Sequence, residues 1–302
     1  MPSVLVAGPV SWNAIVTVAA LPEPRSQTLF ASDHRDTLGG TSAGKALALA
    51  RLGVDVALHT VLGDDDAGTR VRAELAEPRL RLEATVVPGP TERHLNLMAA
   101  GGERVSIYLD VPRAPDEVPA SAAADLARCE VAVVDLSDAS RRYLDLARTA
   151  GVPVWCDLHD YDGHAAFHRD FLAAADVVVV SADRLADPRA FLTDAVAAGA
   201  RWAVCTRGAR GALALGRTEG WLEVPATTAT WVVDTNGAGD AFVAGMLLGH
   251  LERRPLAHCL RLGAAAGALA VASAALVSTD LTADAVRRIA GLASDTGADQ
   301  PE

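Results

Sequence analysis

The sequence predicts an α/β fold in which a mostly parallel sheet is covered by helices on both faces. Two observations carry that prediction. From Ala122 onward, segments of strand length alternate with segments of helix length. The strand-like runs are also continuously apolar, as in Val131–Val134 and Val177–Val180, which is what strands buried on both faces require. A third observation adds a smaller part: strand-like runs before Asp110 break the alternation and call for a second set of strands.

Val4–Ala7 reads as the first buried strand, stopped by Gly8. Ala14–Val18 and Thr28–Phe30 read as strands separated by a Pro-containing turn. A helix is expected over Ser42–Leu52, a strand over Val54–Thr60, a turn over Gly63–Gly68 and a helix ending near Ala76. Strands follow at Glu83–Val87, His94–Ala99 and Arg104–Leu109. The regular part then runs through a helix from Ala122, strand Val131–Asp135, helix Ser140–Ala150 and strand Val154–Asp157. Pro153 suits the entry to that last strand, where a missing N–H is tolerated. Helix Ala165–Ala174, strand Val177–Val180, helix Pro188–Ala198 and strand Trp202–Thr206 continue the pattern with right-handed crossovers. Gly211–Leu215 and Trp221–Val224 form a hairpin, and from Ala241 the chain is helical almost to its end. One domain is expected over residues 1–294, followed by a frayed polar tail at 295–302.

Composition narrows the function. The 302 residues are enough for one large domain, and half of them are hydrophobic. A net charge of −11 excludes an ordinary nucleic-acid binder, which needs a basic face. It does not exclude an anionic ligand held by local N–H groups. Lys45 is the only lysine, which reads as codon bias. Cys129, Cys156, Cys205 and Cys259 are widely spaced and read as buried reduced thiols, which suits a cytoplasm. Met1–Pro22 carries no charged side chain, yet it lacks a basic n-region and is interrupted by Gly8-Pro9, so it reads as strands rather than as a signal peptide. No stretch makes a membrane span.

The most informative segment is Asp234-Thr235-Asn236-Gly237-Ala238-Gly239-Asp240, which leads into an uncharged apolar helical run. Small residues at a helix start leave backbone N–H groups open, and the helix dipole favours an anion there. A carboxylate beside such a hole suggests a general base, taking the proton from a hydroxyl while the hole holds a phosphoryl group.

This heptad resembles the signature of the ribokinase (PfkB) family of small-molecule kinases. Gly39-Gly40-Thr41-Ser42-Ala43-Gly44-Lys45-Ala46 is similar to the family's N-terminal Gly-Gly signature. Leu62-Gly63-Asp64-Asp65, Gly102-Glu103-Arg104, Thr206-Arg207-Gly208-Ala209-Arg210-Gly211 and Asp157 fall in the family's order. The resemblance implies a ribokinase-like three-layer sandwich with a small β-sheet lid, its strands lying within about residues 12–36 and 90–112. It implies transfer of the γ-phosphoryl group of ATP to a hydroxyl of a sugar or sugar-like molecule, with Mg2+ and, as a further candidate, a monovalent cation. Asp240 is then the base, with Gly237, Ala238 and Gly239 as the anion hole. Asn13, Gly39, Gly40, Gly44, Arg104 and Asp234 are the implied acceptor contacts, and Ser181, Thr206, Gly208, Gly211 and Thr235 the nucleotide contacts. A homodimer joined through the lid is a further implication.

The chain departs from the family pattern at several of these positions. Asn13 stands where an Asp is usual, and Ser11 and Gly44 stand where Asn is usual, which points to a substrate other than a simple pentose. Ser181-Ala182-Asp183-Arg184 replaces the usual Asn-x-x-Glu, leaving Asp183 as the one nearby carboxylate for a metal. Asp64-Asp65-Asp66 reads as a solvated turn. Two rival readings fit the same residues: a nucleoside kinase of the same fold, with Trp12 stacked on the base, and a non-catalytic ligand sensor.

Overall fold

The computed structural model describes residues 3–99, 103–229 and 231–292, so the expected tail at 295–302 and Gly102 lie outside it. The largely apolar segments β1 (Val4–Ala7), β8 (Val131–Val134), β10 (Val177–Ser181) and β11 (Trp202–Thr206) lie inside one nine-stranded sheet. Its other members are β4 (Val56–Gly63), β5 (Leu80–Val87), β9 (Val154–Asp157), β12 (Ala212–Gly216) and β13 (Gly220–Val224). The order is β13-β12-β11-β10-β9-β8-β1-β4-β5, parallel from β5 to β11, with the hairpin β12–β13 added antiparallel at one edge.

Strand alternation sends each side chain to one of two cores. Val4 and Val6 face one core, which they share with the helices α1 (Thr41–Arg51), α7 (Ala238–Leu251) and α8 (Leu256–Val271). Leu5 and Ala7 face the other, under α3 (Ser121–Leu126), α4 (Arg141–Ala150), α5 (Arg169–Ala174) and α6 (Pro188–Ala198). Helices α2 (Asp66–Glu74) and α9 (Ala283–Ile289) add Val71 and Val286 to the first of these cores. Every residue of α7 from Asp240 to Gly249 is buried, so this helix is held on all sides.

The strands that broke the alternation form a separate four-stranded sheet, in the order β3-β2-β6-β7. Its members are β2 (Ser11–Val18), β3 (Asp33–Gly39), β6 (Arg93–Ala99) and β7 (Arg104–Asp110). Two expectations are corrected here. The strand expected at Thr28–Phe30 is not one: the segment is irregular and Phe30 is 88 % exposed. The second strand is instead the polar stretch Asp33–Gly39, whose pairing with β2 supplies the order that its side chains do not signal. Ser11, Trp12 and Asn13, ahead of the strand expected at Ala14–Val18, open strand β2.

The Asp64–Asp66 turn is tied down from within. Asp65 accepts hydrogen bonds from the Gly68 N–H at 2.9 Å and the Thr91 hydroxyl at 2.6 Å, capping α2. All four cysteines are free and buried, and burial pushes the Cys129 and Cys205 thiols up to about 11.

Candidate active site

The Gly39-Gly40 pair ends β3 and turns the chain into α1. Gly40 sits at φ 90°, and a Cβ there would lie 2.6 Å from the Pro9 carbonyl oxygen, so only glycine lets the helix start against β2. Asn13 packs directly over Gly39. Its Oδ1 accepts the His94 N–H at 3.2 Å, which fastens β2 to β6. At the other end of the chain, Gly237 at φ 73° caps α7. Asp234 closes the turn before it: Oδ1 accepts from the N–H and the Nδ2 of Asn236, both at 2.8 Å. The Ala238 N–H reaches the Thr235 carbonyl at 3.4 Å, the following first-turn N–H groups of α7 have no acceptor within the helix, and a Cβ added at Gly239 would meet only open space.

The helices α1 and α7 bring Lys45 and Asp240 together. Lys45 is fully buried, and its ammonium donates to Asp240 Oδ1 at 2.7 Å. It also lies 3.0 Å from Asp135 Oδ1, just past β8, and 3.2 Å from Asp157 Oδ2, which ends β9. Ser42, one turn before Lys45, donates its hydroxyl to Asp135 Oδ2 at 2.7 Å. Burial alone would lower the ammonium's pKa, but Asp135, Asp240 and Asp157 outweigh it and hold the group well above the usual lysine range. Burial raises Asp240 to about 6, against the opposing pull of Lys45 and His159. Burial would also raise Asp157, but the neighbouring His159 ring and Lys45 bring it below the ordinary carboxylate range.

The carboxyl ends of the central strands continue the site sideways. His159, at the unusual φ of 52°, places Nδ1 3.5 Å from Asp157 Oδ2 and accepts the Ser181 N–H on its carbonyl at 2.6 Å. Ser181 and Thr206 are register partners at the ends of β10 and β11. Gly208 and Gly211 form the short turn that follows. Asp183 is exposed, donating only its N–H to Ser181 Oγ, and Arg184 faces Asp160 and Asp162. Among the described residues no group of three His, Cys, Asp or Glu could hold a metal ion.

The lid reaches the heptad from above. Arg35 of β3 donates to Asp234 Oδ2 at 2.8 Å, and Arg104 of β7 donates to Asn236 Oδ1 at 2.7 Å. Trp12 alternates to the face of β2 opposite Asn13 and lies under the Arg70 guanidinium. Beyond Asp135 a cleft of about 570 Å³ opens between the sheet edge and the lid, bounded by Gly8, Leu136, Glu92, Tyr108, Tyr143 and Phe167.

The structure thus brings Asp240, Gly44 and Lys45 into contact, and Asn13 onto Gly39. It links Arg104 and Asp234 to the heptad turn and sets Ser181 beside Thr206. Sequence reasoning missed Lys45 and Asp135. Their only signal was a lone lysine in an apolar helix and an aspartate at the end of an apolar strand.

The sequence pattern described as "pfkB family carbohydrate kinase" matches residues 1–282. The chain belongs to this family. It is 36% identical over 272 residues to the acarbose 7(IV)-phosphotransferase of Actinoplanes sp., covering 88% of this chain and 91% of that protein. The structure of a microbiome-derived acarbose kinase superposes with a TM-score of 0.84 at 31% identity, over 96% of this chain and 99% of the other. The ribokinase of Arabidopsis thaliana, solved with ribose and ATP, shares the fold with a TM-score of 0.78 at 21% identity, over 97% and 99% of the two chains. This pfkB-family chain is an ATP-dependent carbohydrate kinase, and its second sheet is the lid of the ribokinase-like fold.

Proposed function

We propose that this kinase transfers the γ-phosphoryl group of ATP to a hydroxyl of a glycoside larger than a single sugar, with Asp240 as general base. The observation that carries the reading is a buried carboxylate in the first turn of α7, beside N–H groups left free by helix geometry. The Gly237–Gly239 amides hold the transferring group, and Asn13 and Gly39-Gly40 contact the acceptor. The turn from Thr206 to Gly211, with Ser181, takes the nucleotide. Mg2+ arrives as the ATP complex, held chiefly through water and phosphate oxygens.

Two observations support an extended acceptor. The cleft beyond Asp135 has the volume of a site for a drug-sized ligand. The relatives named for acarbose match nearly the whole chain. Trp12, turned away from Asn13, gives no support to base stacking.

The test is ADP release from MgATP over a panel of acarbose, linear malto-oligosaccharides, pentoses and nucleosides. Oligosaccharide-dependent release, reduced at least ~1000-fold by Asp240→Asn, is the expected result. Equal release with the Asn variant overturns the role of Asp240. Turnover confined to pentoses or nucleosides overturns the substrate class.

A further inference from the structure

Lys45 is the one lysine of the chain, and it is fully buried beside the proposed base. An ammonium has three N–H donors and no acceptor. Three carboxylate oxygens from three separate elements meet it within 3.2 Å, so its position is over-determined. The first of them is Asp240 Oδ1. The second oxygen, Oδ2, accepts no hydrogen bond from any described residue. It lies where a side chain on Gly44 would be: an added Cβ would sit 2.7 Å from Oδ2. The adjacent residues Gly44 and Lys45 therefore treat the two oxygens differently, one clearing space for Oδ2 and the other holding Oδ1.

We propose that Lys45 is the positioning residue of Asp240, pinning Oδ1 so that Oδ2 is the oxygen offered to the acceptor hydroxyl. This rests on the reading of Asp240 as the base. In the step it serves, the acceptor O–H bond breaks and its proton passes to Oδ2. The acceptor oxygen bonds the γ-phosphorus, and the bond from phosphorus to the bridging oxygen breaks, its electron pair leaving with ADP. Protonation removes the charge of Asp240, yet Asp135 and Asp157 still neutralise the ammonium. That explains why three carboxylates surround one lysine: the cluster survives the loss of any one charge during turnover.

The charged and titratable groups facing Asp240 are Lys45 from α1, Asp157 from β9, His159 just beyond β9, and Asp135 beyond β8 on the far side of the ammonium. Removing the ammonium leaves three close carboxylates, so Asp240 should ionise only at higher pH. Removing Asp135 takes a competing anion from the same ammonium, so Asp240 should ionise at lower pH.

The experiment is the pH profile of kcat/KM for Lys45→Met and Asp135→Asn beside the wild type, with folding checked by circular dichroism. For Lys45→Met the acid limb should rise by about one pH unit or more, with kcat at neutral pH falling at least ~30-fold. The KM for ATP should stay within about twofold, and raising the pH or adding ethylamine should restore part of the rate. For Asp135→Asn the limb should move the other way. A folded Lys45→Met with the wild-type limb and kcat overturns the proposal. Should that variant not fold, an unmoved limb in Asp135→Asn overturns it instead. Asp240→Asn separates the two ideas. If it keeps turnover, the base assignment falls. If it is inactive while both other profiles match the wild type, the base stands and the positioning role falls.

Discussion

At the scale of single residues, the acid–base chemistry proposed for Asp240 depends on how deeply its carboxyl is buried. Its carboxyl is raised to about 6, above its value in an unfolded chain. A base must be ionised to act, so kcat/KM should climb as pH rises through about 6 and level off above it. Gly44→Ala measured in the same pH series tests how tightly the base is seated. Alanine gains about 1 kcal/mol of helix propensity over glycine. The added Cβ would meet Asp240 Oδ2 at 2.7 Å, an overpacking that costs about 1–3 kcal/mol. The two nearly offset, so the midpoint of thermal unfolding should move by only a few degrees while kcat drops at least ~10-fold. An unchanged kcat would show that Oδ2 has room to spare. The heptad was legible in the sequence because Asp234 to Asp240 is one contiguous turn and helix start. Lys45 was not, because its partners at 135, 157 and 240 become neighbours only through the parallel sheet order.

At the scale of elements, two lid strands grip the heptad turn by their arginines. Arg35 is a third exposed in its pair with Asp234, so the pair contributes under about 1 kcal/mol to folding. Its larger effect should fall on the acceptor, because β3 also carries Gly39. Arg35→Ala is expected to raise the KM for the glycoside at least ~5-fold, with kcat and unfolding temperature little changed. A kcat loss without a KM change would place Arg35 in the chemical step instead. The central strands were readable because continuous burial demands continuous apolar sequence. Strand β3 was not: Asp33, His34, Arg35 and Asp36 carry no alternation, since an edge strand of a small, solvated sheet has little apolar surface to cover. Thr28–Phe30 misled for the converse reason, its apolar residues being exposed.

At the scale of the whole molecule, β7 is the outer strand of the lid, with Val105, Ile107 and Leu109 all exposed. An open apolar edge of this kind is a pairing surface. Dimerisation through it, which the family resemblance implies, predicts about twice the monomer mass in sedimentation equilibrium, and Ile107→Glu should return the monomer. A wild-type monomer at the concentrations of the activity assay would remove the lid from subunit contact. The parallel sheet covered on both faces and the need for a second set of strands followed from the sequence pattern, whereas the strength of this edge is a property of the assembled surface.

The separation of 195 residues between Lys45 and Asp240 also bears on biosynthesis. A ribosome delivers Lys45, Asp135 and Asp157 first, and the proposed base is among the last third of the chain to emerge. Until α7 packs against α1, the ammonium has only two of its three anions, and the proposed base is missing from the site. If Asp240 is the base, as proposed, a stalled or prematurely terminated chain ending before Ala238 is expected to be inert towards the sugar hydroxyl. The same holds for a molecule clipped at the exposed Trp231–Val233 link once its C-terminal piece departs. On that proposal turnover is reserved for chains completed at least through α7 and docked, which would make activity itself the readout of finished folding.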